Sequence, residues 1–361
     1  MLRINLLVPT TGLTGGIKVI FWHANGLAKR GHQVTVIHPL VLLKKATIKD
    51  KFRGVLKFFK YQFLKLINQD RIRHFDLDSK IKIIRVANLS ERFIPDADIT
   101  VATANETADW LIDYSSAKGK KFYFIQDYET WTRSPQEVED TWKMPLKKIV
   151  ISSWLKDLAE NKFQEKIYGI VPDGLDFNIF IDQPKVFNKD KRILMQYHRL
   201  PKKGLDDGLR AFRFARSRHP EIKLVLYGAT PPPQSILKEI EKFYYRPTVT
   251  EVRNIFWGCD IFLWPSRVEG FGLPPMEAMA CRCAVIATDT GALRDYAVDG
   301  QTAVIVPPLY PFLMAKKLIK LIEDEERLKR MTEAARHKIL EFSWEKSTQK
   351  LEEIFLSETK K

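Results

Sequence analysis

Short runs of β-branched and apolar residues recur along the chain, with helical segments between them. In the first half, these runs lie at 4–9, 34–39, 81–86, 99–104, 121–126 and 148–153. A second series lies at 192–197, 222–228, 260–265, 284–289 and 302–307. Strands that alternate with helices are typical of a parallel, doubly wound α/β sheet. The sequence therefore predicts two such sheets.

The segment between the two series, residues 171–192, is rich in Asp, Asn, Gly and Pro, a composition typical of a linker. A chain of 361 residues is also long for a single core. We therefore expect a first domain over 1–175 and a second over 185–343. Two Rossmann-like domains of this kind would face each other across a cleft, with ligands at the carboxyl ends of the strands.

Composition excludes several classes of protein. The chain has three cysteines and no Cys/His cluster, which argues against a disulfide scaffold or a structural zinc site. It shows neither a signal-peptide pattern nor an apolar run of 18 residues, so we expect a cytoplasmic protein. The net charge of +15 indicates anionic partners, and charge alone leaves nucleotides, phospholipid headgroups and nucleic acid open.

Residues 266–280, SRVEGFGLPPMEAMA, contain two glutamates that are separated by seven residues. We expect Glu269 on the loop after a strand and Glu277 in the first turn of the helix that follows. Gly270 and Gly272 allow the backbone to approach a ligand, and a helix N-terminus attracts anions. Carboxylates suit vicinal hydroxyl groups, so the stretch predicts a nucleotide-sugar site. Alternatively, Glu277 only complements the helix dipole, which would leave Glu269 unexplained.

A second stretch, MQYHRLPKKGLDDGLRAF (195–212), is predicted to be a strand that ends in a basic loop before a helix. Arg199 and Lys203 on this loop could together bind a diphosphate. The alternative is an ordinary solvated basic loop.

Two loops of the first domain carry weaker signals. TTGLTGG (10–16) differs in spacing from a dinucleotide fingerprint, and no acidic residue ends the second strand, so NAD is not expected. In YFIQDYETW (123–131), Asp127 follows a buried strand and could hold an acceptor hydroxyl or transfer a proton. It could equally be the N-cap of the next helix. Asn105 is a weaker candidate of the same kind.

The stretch PSRVEGFGLPPMEAMACRCAVIATDTGALRDYAVDG resembles the donor-site signature of family 4 glycosyltransferases (glycosyl transferases group 1), retaining enzymes of GT-B fold. LTGGIKVIFWHANGLAKRGHQVTVI, VPDGLDFNIF and FSWEKSTQKLEEIF are similar to their first glycine loop, their linker and their closing helix. The last similarity implies that residues 344–357 cross back to the first domain. Arg282 and Ala284 depart from the pattern, where the family usually has Gly and Pro.

The resemblance also implies roles for individual residues. Glu269 would contact the donor sugar and Glu277 the ribose, while Arg199 and Lys203 would stabilise the departing diphosphate without a metal. The remaining donor-binding residues implied by the two glycine loops are Gly15, Gly16, Gly270, Phe271, Gly272 and Leu273.

Residues 51–67, KFRGVLKFFKYQFLKLI, form a basic, aromatic amphipathic pattern. Such a helix predicts contact with an anionic membrane surface, and packing of its apolar face within the first domain is the alternative. The chain is thus interpreted as a retaining glycosyltransferase acting on a glycan or lipid-linked acceptor. The alternatives are an epimerase or phosphorylase of the same fold, or a non-catalytic binding module. No nucleic-acid motif appears, so a nucleic-acid partner is not expected.

Overall fold

The computed structural model describes residues 1–12, 14–44, 75–130 and 133–359, together with the single residues 47, 52, 56 and 72. The predicted membrane helix at 51–67 lies outside the described residues, except for Phe52 and Leu56, whose side chains are exposed. The chain divides into two compact units. Unit 1 comprises Met1–Asp173 and Trp344–Lys361, and unit 2 comprises Gly174–Ser343.

Within the described residues, unit 1 contains a parallel sheet of seven strands. They are β1 (Arg3–Leu7), β2 (Gln33–Pro39), β3 (Lys82–Val86), β4 (Ile99–Ala102), β5 (Lys120–Ile125), β6 (Lys147–Val150) and β7 (Ile167–Ile170). Their order across the sheet is β3-β2-β1-β4-β5-β6-β7. Every residue of β4 is buried, as expected for a central strand with helices on both faces.

The helices described between these strands are α1 (Gly15–Lys29), α2 (Asn105–Leu111), α3 (Pro135–Trp142) and α4 (Ser153–Phe163). The side chain of Thr14 caps α1 by accepting a hydrogen bond from the N–H of Ile17 at 3.3 Å. Ser134 and Glu137 form a capping box at the start of α3. These caps determine where the loops after β1 and β5 end.

In unit 2, the described sheet has six parallel strands in the order β10-β9-β8-β11-β12-β13. They are β8 (Arg192–Gln196), β9 (Lys223–Gly228), β10 (Lys242–Tyr245), β11 (Ile261–Trp264), β12 (Ala284–Thr288) and β13 (Val304–Val306). The order reverses between β8 and β11. Open α/β sheets bind ligands at such a switch point, beyond the carboxyl ends of the strands.

The helices of unit 2 are α5 (Leu205–Arg218), α6 (Gln234–Leu237), α7 (Val249–Gly258), α8 (Leu273–Ala280), α9 (Leu293–Tyr296), α10 (Pro311–Glu323) and α11 (Glu325–Ile339). Helices α5 and α10 pack on one face of the sheet, where Phe212 and Leu318 are both fully buried in the core. In a separate layer, α8 contacts both α7 and α11. The sheet is thus covered by helices, as the apolar character of its strands requires.

The last helix, α12 (Trp344–Thr359), belongs to unit 1 and packs against α1. Trp344 stacks on Trp22 with ring centroids 5.6 Å apart. A Cβ at Gly26 would lie 2.5 Å from the hydroxyl oxygen of Thr348, so only glycine allows this close helix contact. Glu352 accepts a hydrogen bond from Arg30 at 2.5 Å and pairs with His32 at 2.7 Å.

The predicted doubly wound parallel arrangement is confirmed in both units, and every predicted strand is present. Among the residues that the structure describes, two strands were missed, β7 and β10. Both are four-residue edge strands that are only partly buried, and Gly169 interrupts β7 while a lysine begins β10, so each is a weaker strand signal than the runs of the central strands.

Candidate functional site

Two loops meet at the carboxyl ends of β8 and β11. The first forms a 3₁₀ turn, Pro201–Lys203, and ends at Gly204, whose φ is +64°. A Cβ at Gly204 would lie 1.9 Å from the carbonyl oxygen of Pro265 on the second loop. A side chain is impossible there without backbone movement, so glycine brings the two loops into direct contact. The backbone N–H of Arg267 then donates to the carbonyl of Lys202 at 2.7 Å.

This contact places Lys203 beside Glu269. The Lys203 Nζ lies 2.6 Å from Glu269 Oε1, and their side chains are only 22% and 10% exposed. The hydroxyl of Ser266 donates to the same carboxylate oxygen at 2.5 Å. Gly291, at φ +60°, lies against this residue, and a Cβ there would be 2.8 Å from the Cβ of Glu269. The carboxylate and the ammonium group are therefore held in one geometry by groups that surround them.

The Gly-Phe-Gly turn leads into α8. Gly272 has φ +96° and is the N-cap of the helix, and its carbonyl accepts a hydrogen bond from Tyr296 at 2.8 Å. The ring of Phe271 is buried, with its centroid 5.7 Å from that of Tyr296, so its side chain serves packing. Gly270 is buried, and Leu273 is the half-buried first residue of α8. Pro274 and Pro275 lack N–H groups, so Gly272 and Leu273 supply the donors at this helix end.

The sequence predicted that Glu277 lies in the first turn of its helix, and this prediction is wrong. Because α8 begins at Leu273, Glu277 is its fifth residue, and the first turn holds no acidic side chain. The favourable interaction of a carboxylate with the helix dipole falls off beyond the first turn. The dipole therefore does not explain a glutamate at position 277. The side chain is half-buried.

Arg199 is exposed and lines a cavity of about 590 Å³ within unit 2. The cavity is also lined by His198, Gly204 and the three prolines of 231–233. Burial, followed by the positive charge of Lys203, lowers the pKa of His198. The structure therefore brings Lys203 to Glu269, whereas Arg199 lies on the wall of the adjoining cavity.

In unit 1, Gly15 and Gly16 are the first residues of α1. A Cβ at Gly16 would lie 3.2 Å from the side-chain oxygen of Gln126, at the end of β5, whereas a Cβ at Gly15 would meet nothing within 4 Å. The glycine loop and the loop after β5 thus lie side by side. A side chain at position 16 would be crowded by Gln126, so glycine is favoured there, whereas position 15 has room for one.

Asp127 is not the N-cap of the next helix, which was one of the two predicted roles. Its carboxylate accepts the N–H of Tyr128 at 2.7 Å, whereas Ser134 caps α3. Asn105 is the first residue of α2, and its fully buried side chain donates to Glu129 at 3.1 Å. The backbone N–H of Asn105 donates to the same oxygen at 3.3 Å.

Glu129 was missed by the sequence analysis. Burial raises its pKa to about 7, and the negative charges of Glu106 and Asp127 act in the same direction. A carboxyl group with such a pKa changes its charge near neutral pH, which is a common property of functional sites. The signal for it in the sequence is its place in the polar loop after a buried strand, two residues beyond Asp127.

A model of the family described as glycosyl transferases group 1 matches residues 178–338. This segment includes both loops at the carboxyl ends of β8 and β11. The match covers nearly the whole of unit 2, Gly174–Ser343.

Curated relatives match only part of the chain. The uncharacterized glycosyltransferase YqgM of Bacillus subtilis (strain 168) is 27% identical over 201 residues, which cover 53% of this chain and 55% of that protein. The chain thus matches about half the length of this relative.

Two solved structures are similar over nearly the whole chain. Sucrose-phosphate synthase from Thermosynechococcus elongatus has a TM-score of 0.70 at 14% identity, with 98% of each chain covered. Anabaena Alr3699/HepE in complex with UDP and glucose has a TM-score of 0.69 at 15% identity, with 99% of this chain and 100% of that chain covered. At these identities the likeness shows the fold, and the predicted GT-B class is confirmed. Within the part of the chain that is described, no helix is both long and apolar enough to cross a membrane.

Proposed function

We propose that the protein is a retaining glycosyltransferase that moves a sugar from a nucleoside-diphosphate sugar to a hydroxyl group of a glycan or lipid-linked acceptor. The observation that carries this proposal is the largely buried Lys203–Glu269 pair at the switch point of unit 2. It lies in the segment that matches the glycosyl transferases group 1 family. The structural neighbour solved with UDP and glucose gives further support for a nucleotide-sugar donor.

The cations would act on the diphosphate. When the bond between the anomeric carbon and the diphosphate oxygen breaks, its electron pair passes to the diphosphate, and negative charge grows there. Lys203, already held in place, and Arg199 would stabilise that charge. Because its position is fixed before the reaction, Lys203 needs little reorganisation during the step.

The carboxylates would act on the sugar and the ribose. Glu269 would orient the transferred sugar and stabilise the positive charge at its anomeric carbon. Glu277 would accept hydrogen bonds from the ribose hydroxyls. The acceptor oxygen would attack the same face that the diphosphate leaves, and a phosphate oxygen would take its proton, which accounts for retention.

We infer that the step needs no metal ion, because the lysine and arginine supply the positive charge that the diphosphate requires. Turnover should be unchanged after dialysis against a chelator. A loss that added Mg²⁺ or Mn²⁺ restores would overturn this part of the proposal.

The acceptor side is proposed to lie in unit 1, where Asp127 would contact the acceptor hydroxyl. We also propose that residues 51–67 contact an anionic membrane, at the inner face of which a cytoplasmic enzyme would meet a lipid-linked acceptor. The exposed side chains of Phe52 and Leu56 support this proposal. Co-sedimentation with anionic vesicles should be salt-sensitive.

A triple variant separates membrane contact from packing. Replacing Lys57, Lys60 and Lys65 by Gln removes roughly 3 kcal/mol of attraction, at about 1 kcal/mol for each basic side chain. Vesicle binding should fall more than a hundredfold while donor turnover in solution stays the same. If the parent protein does not bind vesicles, the segment is not a membrane anchor.

The direct test of the function is mass spectrometry of products formed from a panel of nucleotide-sugars and glycan or lipid-linked acceptors. We expect a transferred sugar with its anomeric configuration retained, and no product from a Glu269→Gln variant that still folds. Turnover without an acceptor would indicate an epimerase, and turnover with inorganic phosphate a phosphorylase. Binding of duplex DNA without any turnover would indicate a binding module.

A further inference from the structure

Tyr227 is the penultimate residue of β9, at the carboxyl edge of the unit 2 sheet. It is paired in register with Gln196 of β8 and Tyr244 of β10, and its carbonyl accepts the N–H of Tyr197 at 2.7 Å. Its side chain is only 5% exposed. The backbone position is thus closely determined on both sides.

The hydroxyl group of Tyr227 is buried and has no hydrogen-bond partner among the described residues. An unpaired buried hydroxyl destabilises a folded protein, and phenylalanine at the same position would avoid this cost. Buried polar groups without partners are rare in folded proteins and call for an explanation. A role in ligand binding would provide one.

The side chain lies on the side of the sheet that carries α7 and α8. Its ring packs edge-on against Phe256 of α7, with centroids 6.1 Å apart. The alternate residues of the same strand, Leu224 and Leu226, belong instead to the core beneath α5 and α10. Helix α7 contacts α8, which carries Glu277.

Glu277 is the carboxylate whose charge acts most strongly on this hydroxyl. Burial raises the pKa of Tyr227 well above its usual value, and the charge of Glu277 raises it further. The hydroxyl therefore keeps its proton at neutral pH and can donate a hydrogen bond. A buried donor without a partner and a half-buried carboxylate thus lie in the same region of unit 2.

We propose that Tyr227 is a positioning residue of the donor site: when the nucleotide binds, its hydroxyl donates a hydrogen bond to Glu277. This inference rests on the proposed function, since it assumes that Glu277 holds the ribose. A carboxylate has two oxygens with about four acceptor positions, so one bond from Tyr227 leaves capacity for the two ribose hydroxyls. It would orient Glu277 toward them.

The test compares Tyr227→Phe, Glu277→Gln and the double variant by calorimetry with UDP, GDP and ADP. The Tyr227→Phe variant should bind the preferred nucleotide roughly tenfold more weakly, the effect of one hydrogen bond to a charged group. Its melting temperature without ligand should stay the same or rise, because the unpaired hydroxyl is gone. The double variant should bind no more weakly than Glu277→Gln alone, because Tyr227 acts through Glu277.

Tyr114→Phe is the matched control in unit 1. The hydroxyl of Tyr114 is also buried, and it donates to the carbonyl of Leu89 at 2.6 Å. We expect this variant to lose stability and to keep full nucleotide affinity.

Three results would overturn the inference. The first is unchanged nucleotide affinity in Tyr227→Phe. The second is a loss of thermal stability as large as that of Tyr114→Phe, which would indicate a structural hydroxyl. The third is a double variant weaker than Glu277→Gln by the full effect of Tyr227→Phe. If the parent protein binds none of the three nucleotides and forms no product from the panel of nucleotide-sugars, the proposed function itself fails.

Discussion

The carboxyl edges of the two sheets differ in the charged groups that they carry: a lysine–glutamate pair in unit 2 and neighbouring carboxylates in unit 1. In unit 2, Lys203 and Glu269 are largely buried, in contact and supported by Ser266. In unit 1, Glu129 lies near two further carboxylates, Glu106 and Asp127, and its pKa rises to about 7. The first edge has a cation in place for an anionic ligand. The second edge would repel anions and offers acceptors to hydroxyl groups, so we expect it to receive an uncharged part of the substrate.

Breaking the charge pair of unit 2 should give the largest effect. Lys203→Ala should lower kcat by roughly 10²–10³, as removal of one preorganised transition-state donor typically does. Donor affinity should fall less than turnover, because the charge on the diphosphate grows as it departs. Steady-state kinetics at saturating donor would measure both effects, with the neighbouring Lys202→Ala as the control. Normal turnover at saturation would make Lys203 only an anchor.

The carboxylates of unit 1 can be tested through stability. The pKa of Glu129 is about 7 in the folded protein, against 4.5 as its ordinary value. A carboxyl with a raised pKa is protonated more readily in the folded state, so folding loses stability as pH rises between these two values. Relative to Glu129→Gln, the wild type should therefore lose roughly 3 kcal/mol between pH 4.5 and pH 8.

Urea denaturation of both proteins at several pH values would measure this difference. The same substitution at Glu345, which is exposed on α12, is the control. Parallel pH curves for the wild type and Glu129→Gln would show that the pKa of Glu129 is not raised in the folded protein.

The ribose contact should give the smallest effect of the three. Glu277→Ala should weaken donor binding by about 1.5–3 kcal/mol, the range for a hydrogen bond to a charged group. Calorimetry with the preferred nucleotide-sugar would measure it, and Glu326→Ala, on the exposed surface of α11, is the control. Full donor affinity in a folded Glu277→Ala variant would remove this residue from the site.

The two edges also differ in how far sequence alone predicts them. Near Glu269 the chemistry is local, because Gly270, Gly272 and the carboxylate lie within a few residues, so the loop after β11 was recognised. The proposed roles of these residues stay predictions. The helix start at Leu273 was predicted correctly, but Glu277 was placed in its first turn although it is the fifth residue of α8.

The properties that sequence reasoning missed arise from contacts between distant segments. The pKa of Glu129 depends on burial and on Glu106, which follows a different strand. The unpaired hydroxyl of Tyr227 depends on neighbours from other elements, such as Phe256. No local pattern encodes such surroundings. The parallel sheets, by contrast, follow from runs of apolar residues that any buried strand must have.

The packing of α12 on α1 has a consequence for synthesis on the ribosome. Unit 2 is continuous, Gly174–Ser343, whereas unit 1 is completed only by Trp344–Lys361. Until that helix emerges, Trp22 and the groove at Gly26 lack the partners that cover them in the finished fold. The half of the protein that is translated first is therefore the half that finishes folding last. During translation of unit 2, Trp22 and the groove at Gly26 remain exposed, as apolar surface is in a partly folded chain.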